Sequence, residues 1–171
     1  MSQPLLSVNG LMMRFGGLLA VNNVNLELYP QETVSLIGPN GAGKSLLVDL
    51  LTGKYPLRDG TLTYDFRPSV TQTAYGNIKY IAFRDTYGSA DANYYYQQRW
   101  NAHDQEDAPM VRELLGEVKD ETLKQQLFDL FRIEPMLDKK IILLSSGELR
   151  KFQLTKTLLT APRILIMDNP F

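Results

Sequence analysis

The feature that most constrains this chain is the stretch GPNGAGKS, Gly38 to Ser45. It fits the pattern G-x-x-x-x-G-K-[ST] in full, with the apolar run TVSLIGP before it and LLVDLLTG after it. The first run predicts a short strand buried on both faces, and the second a helix stopping at Gly53. Glycines 38, 41 and 43 let the backbone wrap closely, so that successive N–H groups point inward at phosphate oxygens. The positive end of the following helix adds to that field. Lys44 offers a point charge to the β- and γ-phosphates, and Ser45 a hydroxyl to Mg²⁺. A glycine-rich turn that merely joins strand to helix is the competing explanation. Pattern and context agree, so the nucleotide site is preferred.

That site gives the closing stretch RILIMDNPF, Arg163 to Phe171, a purpose. An apolar strand ending in Asp168 would bring a carboxylate to the Mg²⁺ shell opposite Ser45. Asp65, inside an alternating strand and followed by an apolar residue, is the weaker candidate.

Length and composition exclude several classes. At 171 residues the chain suits one domain, and 44% hydrophobic with 22% charged residues is a globular composition. A net charge of −1 gives no global basic field, so no direct nucleic-acid partner is expected. Without cysteine there are no disulfides, zinc-thiolate sites or thiol nucleophiles, and the single histidine, His103, makes no triad. Apolar runs fall far short of the ~18 residues that cross a bilayer. MSQPLLSVNG has no basic flank or long apolar core, so no secretion signal is expected. A cytoplasmic α/β domain follows, with any membrane role exercised through a partner.

Residues 5–15 and 18–29 read as strands around Gly16-Gly17, the second alternating at Val21, Val24, Leu26 and Leu28. TLTYDF and IKYIAF are further strands. Residues 85–109 are polar and aromatic without a period, after which Leu123, Leu127, Leu130 and Phe131 share one helical face and the helix ends near Pro135. A helix over LSSGELRKFQLTKTLLT leads to the final strand. Ser145-x-x-Glu148 is a capping box. Gly147 in the first turn is poor for a cap alone, but suits an anion approaching exposed N–H groups. A plain cap and a second anion site, the latter implying two subunits sharing each nucleotide, both remain open. In NYYYQQRW, Asn93 to Trp100, stacked tyrosines could bind single-stranded nucleic acid, but without a basic surround a packed loop or partner surface is preferred. DQEDAP, Asp104 to Pro109, reads as a solvated loop rather than a metal site.

GPNGAGKS, then LSSGE, then ILIMD after a short helix, resembles in order and spacing an ATP-binding cassette (ABC) ATPase domain along essentially the whole chain. The resemblance implies an α/β P-loop NTPase core of ABC type, with an N-terminal antiparallel β subdomain and an inserted helical subdomain. It divides the single domain, residues 1–171, into a β and RecA-like part (1–84), a helical insertion (85–145), and a signature helix with the Walker B strand (146–171). ATP and Mg²⁺ are the implied ligands. Gly38, Asn40, Gly41, Ala42, Gly43, Lys44, Ser45 and Leu46 would hold the phosphates, Phe15 would stack on adenine, and Ser45 with Asp168 would hold the metal. Ser145, Ser146, Gly147 and Glu148 would complete the site of a second cassette in a head-to-tail dimer. Membrane permease subunits are implied partners of the parent protein, placing the chain in the cytoplasm, peripheral to the inner membrane. Two further function classes stay open: a soluble cassette ATPase that serves no transporter, and an engineered fragment that only binds. Residues 1 to about 44 look like the ATP-binding subunit of branched-chain amino-acid importers. The rest looks more like molybdate-associated (ModF-like) cassette ATPases, which suggests a chimera joined near the loop.

The chain also departs from the family pattern. Arg84 stands where a glutamine is usual, with Gln97 and Gln98 far along, and Leu46 replaces a common threonine. Asn169 replaces the glutamate general base, and a carboxamide orients water without accepting its proton. Lys44 and Asn169 are therefore the catalytic candidates, with low hydrolysis but retained or weakened MgATP binding expected. The chain is also expected to be C-terminally incomplete, ending before the D-loop and switch histidine. Asp168's strand would then be an exposed edge.

Overall fold

Apolar alternation in the first segments builds a hairpin. β1 (Leu6–Phe15) and β2 (Leu18–Leu28) pair antiparallel from Leu6↔Leu28 to Phe15↔Leu18. β1 buries Leu6 and Val8, then Leu11 and Met13, and its register shifts between Val8 and Leu11. The irregularity moves the apolar phase by one residue, which keeps both halves of the strand facing the core. The computed structural model describes residues 3–82, 108–118 and 120–168. Arg84, Gln97, Gln98, the aromatic stretch 93–100 and Asn169 lie outside them.

The chain forms two compact units, Met1–Lys79 and Tyr80–Phe171. In the first, β3 (Asp59–Tyr64) pairs antiparallel with the free edge of β1, giving the order β2-β1-β3. Helix α1 (Lys44–Leu51) buries Leu47, Leu50 and Leu51 and packs on β2. Val8, Leu11, Leu50 and Phe66 are fully buried, each such side chain contributing about 1.5–3 kcal/mol by leaving water. Tyr64 Oη donates to the Leu51 carbonyl at 2.9 Å, fastening the end of α1 to β3. A short helix α2 (Ala74–Asn77) precedes β4 (Ile78–Ala82).

The strand expected at residues 33–37 is not formed. Residues 32–39 carry no regular secondary structure, and Ile37 is 92% exposed. A strand apolar on both faces is stabilised by ladders on its edges. Among the described residues, 33–37 pair with no strand.

In the second unit, which takes in Tyr80–Ala82 of β4, that strand and β5 (Ile164–Asp168) form a two-stranded sheet. Helices α3 (Val111–Leu115), α4 (Glu121–Phe131) and α5 (Ser146–Leu158), with 3-10 turns at Glu134–Met136 and Ile141–Leu143, enclose a core that includes Val111, Phe128, Ile133, Ile141 and Phe152. α4 starts where the Asp120 carboxylate accepts from the Leu123 amide at 3.0 Å, and stops with Arg132 left-handed at φ 54°. Its buried residues are Leu127 and Phe128, whereas Leu130 is 71% exposed, so the apolar stripe is rotated from the expected one. Lys124 lies beside the buried Phe128. Its charge pairs with Glu121 at 2.9 Å and lies 5.9 Å from the Phe128 ring centre, so a nominally polar residue covers apolar surface with its stem.

Candidate functional site

The loop in the first unit is exposed from Gly38 to Ala42. The Ala42 amide donates to the Pro39 carbonyl at 3.2 Å, closing a turn in which Gly41 sits at φ 81° beside open space. Gly43, at φ 84°, is the N-cap of α1. A Cβ there would lie 2.4 Å from the Ala20 carbonyl oxygen, so glycine is required both by the dihedral and by the approach to β2. The N-terminus of α1 has no side-chain cap and no acidic residue in its first turn. Its positive end is thus uncompensated, and Ser45 stands exposed on it. Lys44 folds back, its Nζ donating to the carbonyls of Gly38 at 2.7 Å and Pro39 at 2.8 Å. The ammonium is therefore held across the loop mouth. Asn40 lies in the exposed turn, and Leu46 is half-buried on the helix.

Phe15, at the tip of the hairpin, is 48% exposed. Its ring meets Tyr55 edge-on, with centroids 6.2 Å apart at 81°. Sequence reasoning missed Tyr55, because nothing in its spacing ties it to residue 15.

In the second unit, Ser145 and Glu148 form the expected capping box at the start of α5. Glu148 N–H donates to Ser145 Oγ at 3.3 Å, while Glu148 Oε2 accepts from the Ser145 amide at 2.8 Å and its hydroxyl at 3.0 Å. Lys139 Nζ donates to the other carboxylate oxygen, Oε1, at 2.6 Å. That bond first, then those from Ser145, hold the Glu148 carboxyl down to about 2. Ser146 is exposed, and a Cβ on Gly147 would meet nothing within 4 Å, so the first turn is open to its surroundings. Lys139 was not anticipated either.

Asp168 ends β5, half-buried, and accepts from Tyr80 Oη of β4 at 2.8 Å. The two residues lie 88 positions apart, and a single tyrosine in IKYIA carries no sign of the bond. Asp65, the weaker metal candidate, accepts instead from Arg67 Nε at 2.8 Å. The loop and Phe15 belong to the first unit, Ser145–Glu148 and Asp168 to the second.

An uncapped helix end behind a glycine-rich loop, carried by a mixed α/β chain, defines a P-loop nucleotide-binding protein. A family model described as ABC transporter matches residues 21–171. The chain is 30% identical over 193 aligned positions to the high-affinity branched-chain amino acid transport ATP-binding protein BraF of Pseudomonas aeruginosa, covering 99% of this chain and 71% of that protein. It is 79% identical over 62 residues to the corresponding protein LivG of Escherichia coli, a match spanning 36% of this chain and 24% of that protein. Among solved structures, MJ1267, an ATP-binding cassette of an ABC transporter in its ADP conformation, aligns over 99% of this chain and 70% of its own at 19% identity with a TM-score of 0.68. CbiO1 from Clostridium perfringens, part of the ABC transporter complex CbiONQ, gives 0.66 at 20% identity, over 96% of this chain and 65% of its own. The chain belongs to the ABC transporter family, and its fold is that of the ATP-binding cassettes. Proteins of this family bind ATP, usually with Mg²⁺. Among the described residues no helix is long and apolar enough to cross a membrane.

Proposed function

We propose that this chain binds MgATP as the energy-coupling subunit of an importer, docked on permease subunits that it does not contain. The observation that carries the reading is the uncompensated N-terminus of α1, with Lys44 held across its mouth. An exposed helix end without a cap leaves its first N–H groups to water, and a triphosphate can take the water's place with matching charge. Gly38 to Leu46 would cradle the phosphates, with Lys44 exchanging its two carbonyl partners for β- and γ-oxygens. Ser45 and Asp168 have the oxygen donors that suit Mg²⁺. Ser145, Ser146, Gly147 and Glu148 would complete the nucleotide site of a second cassette. The printed functions of LivG and BraF make branched-chain amino acids the first transported class to test. Division into parts at 1–84, 85–145 and 146–171 belongs to the same proposal. So does a junction near residue 44; the unevenness of identity, 79% over 62 residues against 30% over the longer match, supports a change of relatedness along the chain, and the 62-residue match reaches past position 44.

Calorimetric titration with MgATP tests the site. Lys44→Ala should weaken binding by roughly 10–100-fold, the worth of a charge-assisted contact. Unchanged affinity in a variant that melts like the unsubstituted chain would sink the assignment. Phe15→Ala should weaken ATP by about tenfold through lost base stacking while leaving inorganic triphosphate unaffected. Equal losses for both ligands would mean that Phe15 supports the hairpin rather than the base.

A further inference from the structure

Both helix starts implicated in nucleotide binding would face a triphosphate, yet their electrostatics differ. α1 has no acid in its first turn, whereas α5 carries Glu148 there. A carboxylate at that position cancels the positive helix end and repels a phosphate. The element that offsets this is Lys139, 2.6 Å from Oε1.

We propose that Lys139 is a positioning residue for the Ser145–Glu148 turn: it neutralises the Glu148 carboxylate and fixes it, and through it the Ser145 side chain, so that this helix end can accept an anion. The inference rests on the reading that this turn meets a nucleotide held by a second copy.

The backbone around Lys139 supports the assignment. Its amide donates to the Met136 carbonyl at 3.0 Å, and its carbonyl accepts from Val111 N at 3.0 Å. Next to it Lys140 forms a bridge with Met110, and the Ile141 amide donates to the Pro109 carbonyl at 3.0 Å. The ammonium thus springs from a backbone pinned on both sides, beside the buried Val111 and Ile141. Lys139 is held in place for Glu148 rather than meeting it by chance on a mobile surface. Glu148 is in turn fixed at both oxygens, one by Lys139 and one by Ser145. Removing the lysine leaves the carboxylate without its counter-charge, held at Oε2 by Ser145 alone. Its easiest response is to rotate toward water, releasing Ser145.

The experiment uses the full chain with Lys139→Met, Lys139→Arg, Glu148→Gln and the Lys139→Met/Glu148→Gln pair. Carbon-13 NMR follows the Glu148 carboxyl through an acid titration, and sedimentation follows self-association with MgATP. In Lys139→Met the Glu148 midpoint should rise from about 2 toward its ordinary 4.5. MgATP-dependent association should weaken about tenfold in the same variant, the worth of one charge-assisted contact. Lys139→Arg should restore both readings. In the Glu148→Gln background Lys139→Met should cost nothing further, because no carboxylate remains to be neutralised. An unmoved midpoint, or an equal loss from Lys139→Met in both backgrounds, would overturn the role of Lys139. Absence of MgATP-dependent association in the unsubstituted chain would instead overturn the two-copy reading, while the titration would still decide whether Lys139 holds Glu148.

Discussion

Gly43→Ala should lower stability by about 3 kcal/mol, from left-handed strain of about 1–2 kcal/mol plus a comparable cost of overpacking. For a chain of 171 residues that is a fall in melting temperature of roughly 6–12 °C. The second contribution arises because the new Cβ would lie 2.4 Å from the Ala20 carbonyl oxygen, a backbone atom that moves only if β2 or α1 moves. Gly41→Ala is the natural comparison. Gly41 has a similar φ of 81° but nothing within 4 Å of its Cβ position, so it should show strain alone, about 1–2 kcal/mol. Thermal melts of the two variants separate the effects. Equal losses would show that contact with β2 contributes nothing and that the dihedral alone requires glycine at position 43. MgATP binding should fall more in Gly43→Ala, because displacing α1 moves the helix end that the loop presents.

The same contrast shows what was legible beforehand. The pattern at residues 38–45 specifies glycines and a lysine for the loop, and the structure folds them into a loop opening on a helix start. The hairpin at Gly16-Gly17, the stop of α1 near Gly53, and the Ser145–Glu148 cap were equally readable, because each is decided within a few residues. What escaped was decided by distant partners. TVSLIGP is as apolar as a central strand, but a ladder depends on neighbours that the segment cannot supply, and 33–37 have no strand pairing among the described residues. Lys124 counts as polar in any periodicity, yet its ammonium lies 5.9 Å from the ring centre of the buried Phe128, while Leu130 is exposed. Tyr55, Tyr80 and Lys139 were missed for a further reason. Each matters because of the one side chain it touches, Phe15, Asp168 or Glu148, and pairwise contacts of that kind leave no spacing to read.

The electrostatics of the two helix starts also bear on how tightly the molecule should discriminate among ligands. At α1 the field of the helix is unopposed; on the reading proposed above it would attract any phosphate chain of the right length, with Phe15 left to select the base. At α5 the field is met by Glu148 and restored by Lys139. On the two-copy reading proposed above, that helix end would offer the weaker of the two anion contacts.

Asn169→Glu should raise ATP turnover by roughly 10²–10⁴-fold, the usual worth of a general base, if Asp168 marks the metal side of the site. The asparagine carboxamide has a carbonyl that can accept a bond from the attacking water, and so can align it. It cannot take the proton, which must then leave to bulk solvent as the phosphorus–oxygen bond forms. A glutamate carboxylate at the same position accepts that proton directly. The substitution adds no group that would contact the phosphates themselves, so MgATP affinity should change little. That combination, a large rise in turnover with nearly constant affinity, is what a lost base predicts and what a general improvement in folding does not. Single-turnover measurements at saturating MgATP provide the rate, and calorimetry provides the affinity. Hydrolysis by the unsubstituted chain at a rate that glutamate fails to improve would place the proton acceptor elsewhere. Lys44→Ala added to Asn169→Glu should then distinguish turnover at this loop from a contaminating activity, because the gain should vanish when the phosphate contact is removed.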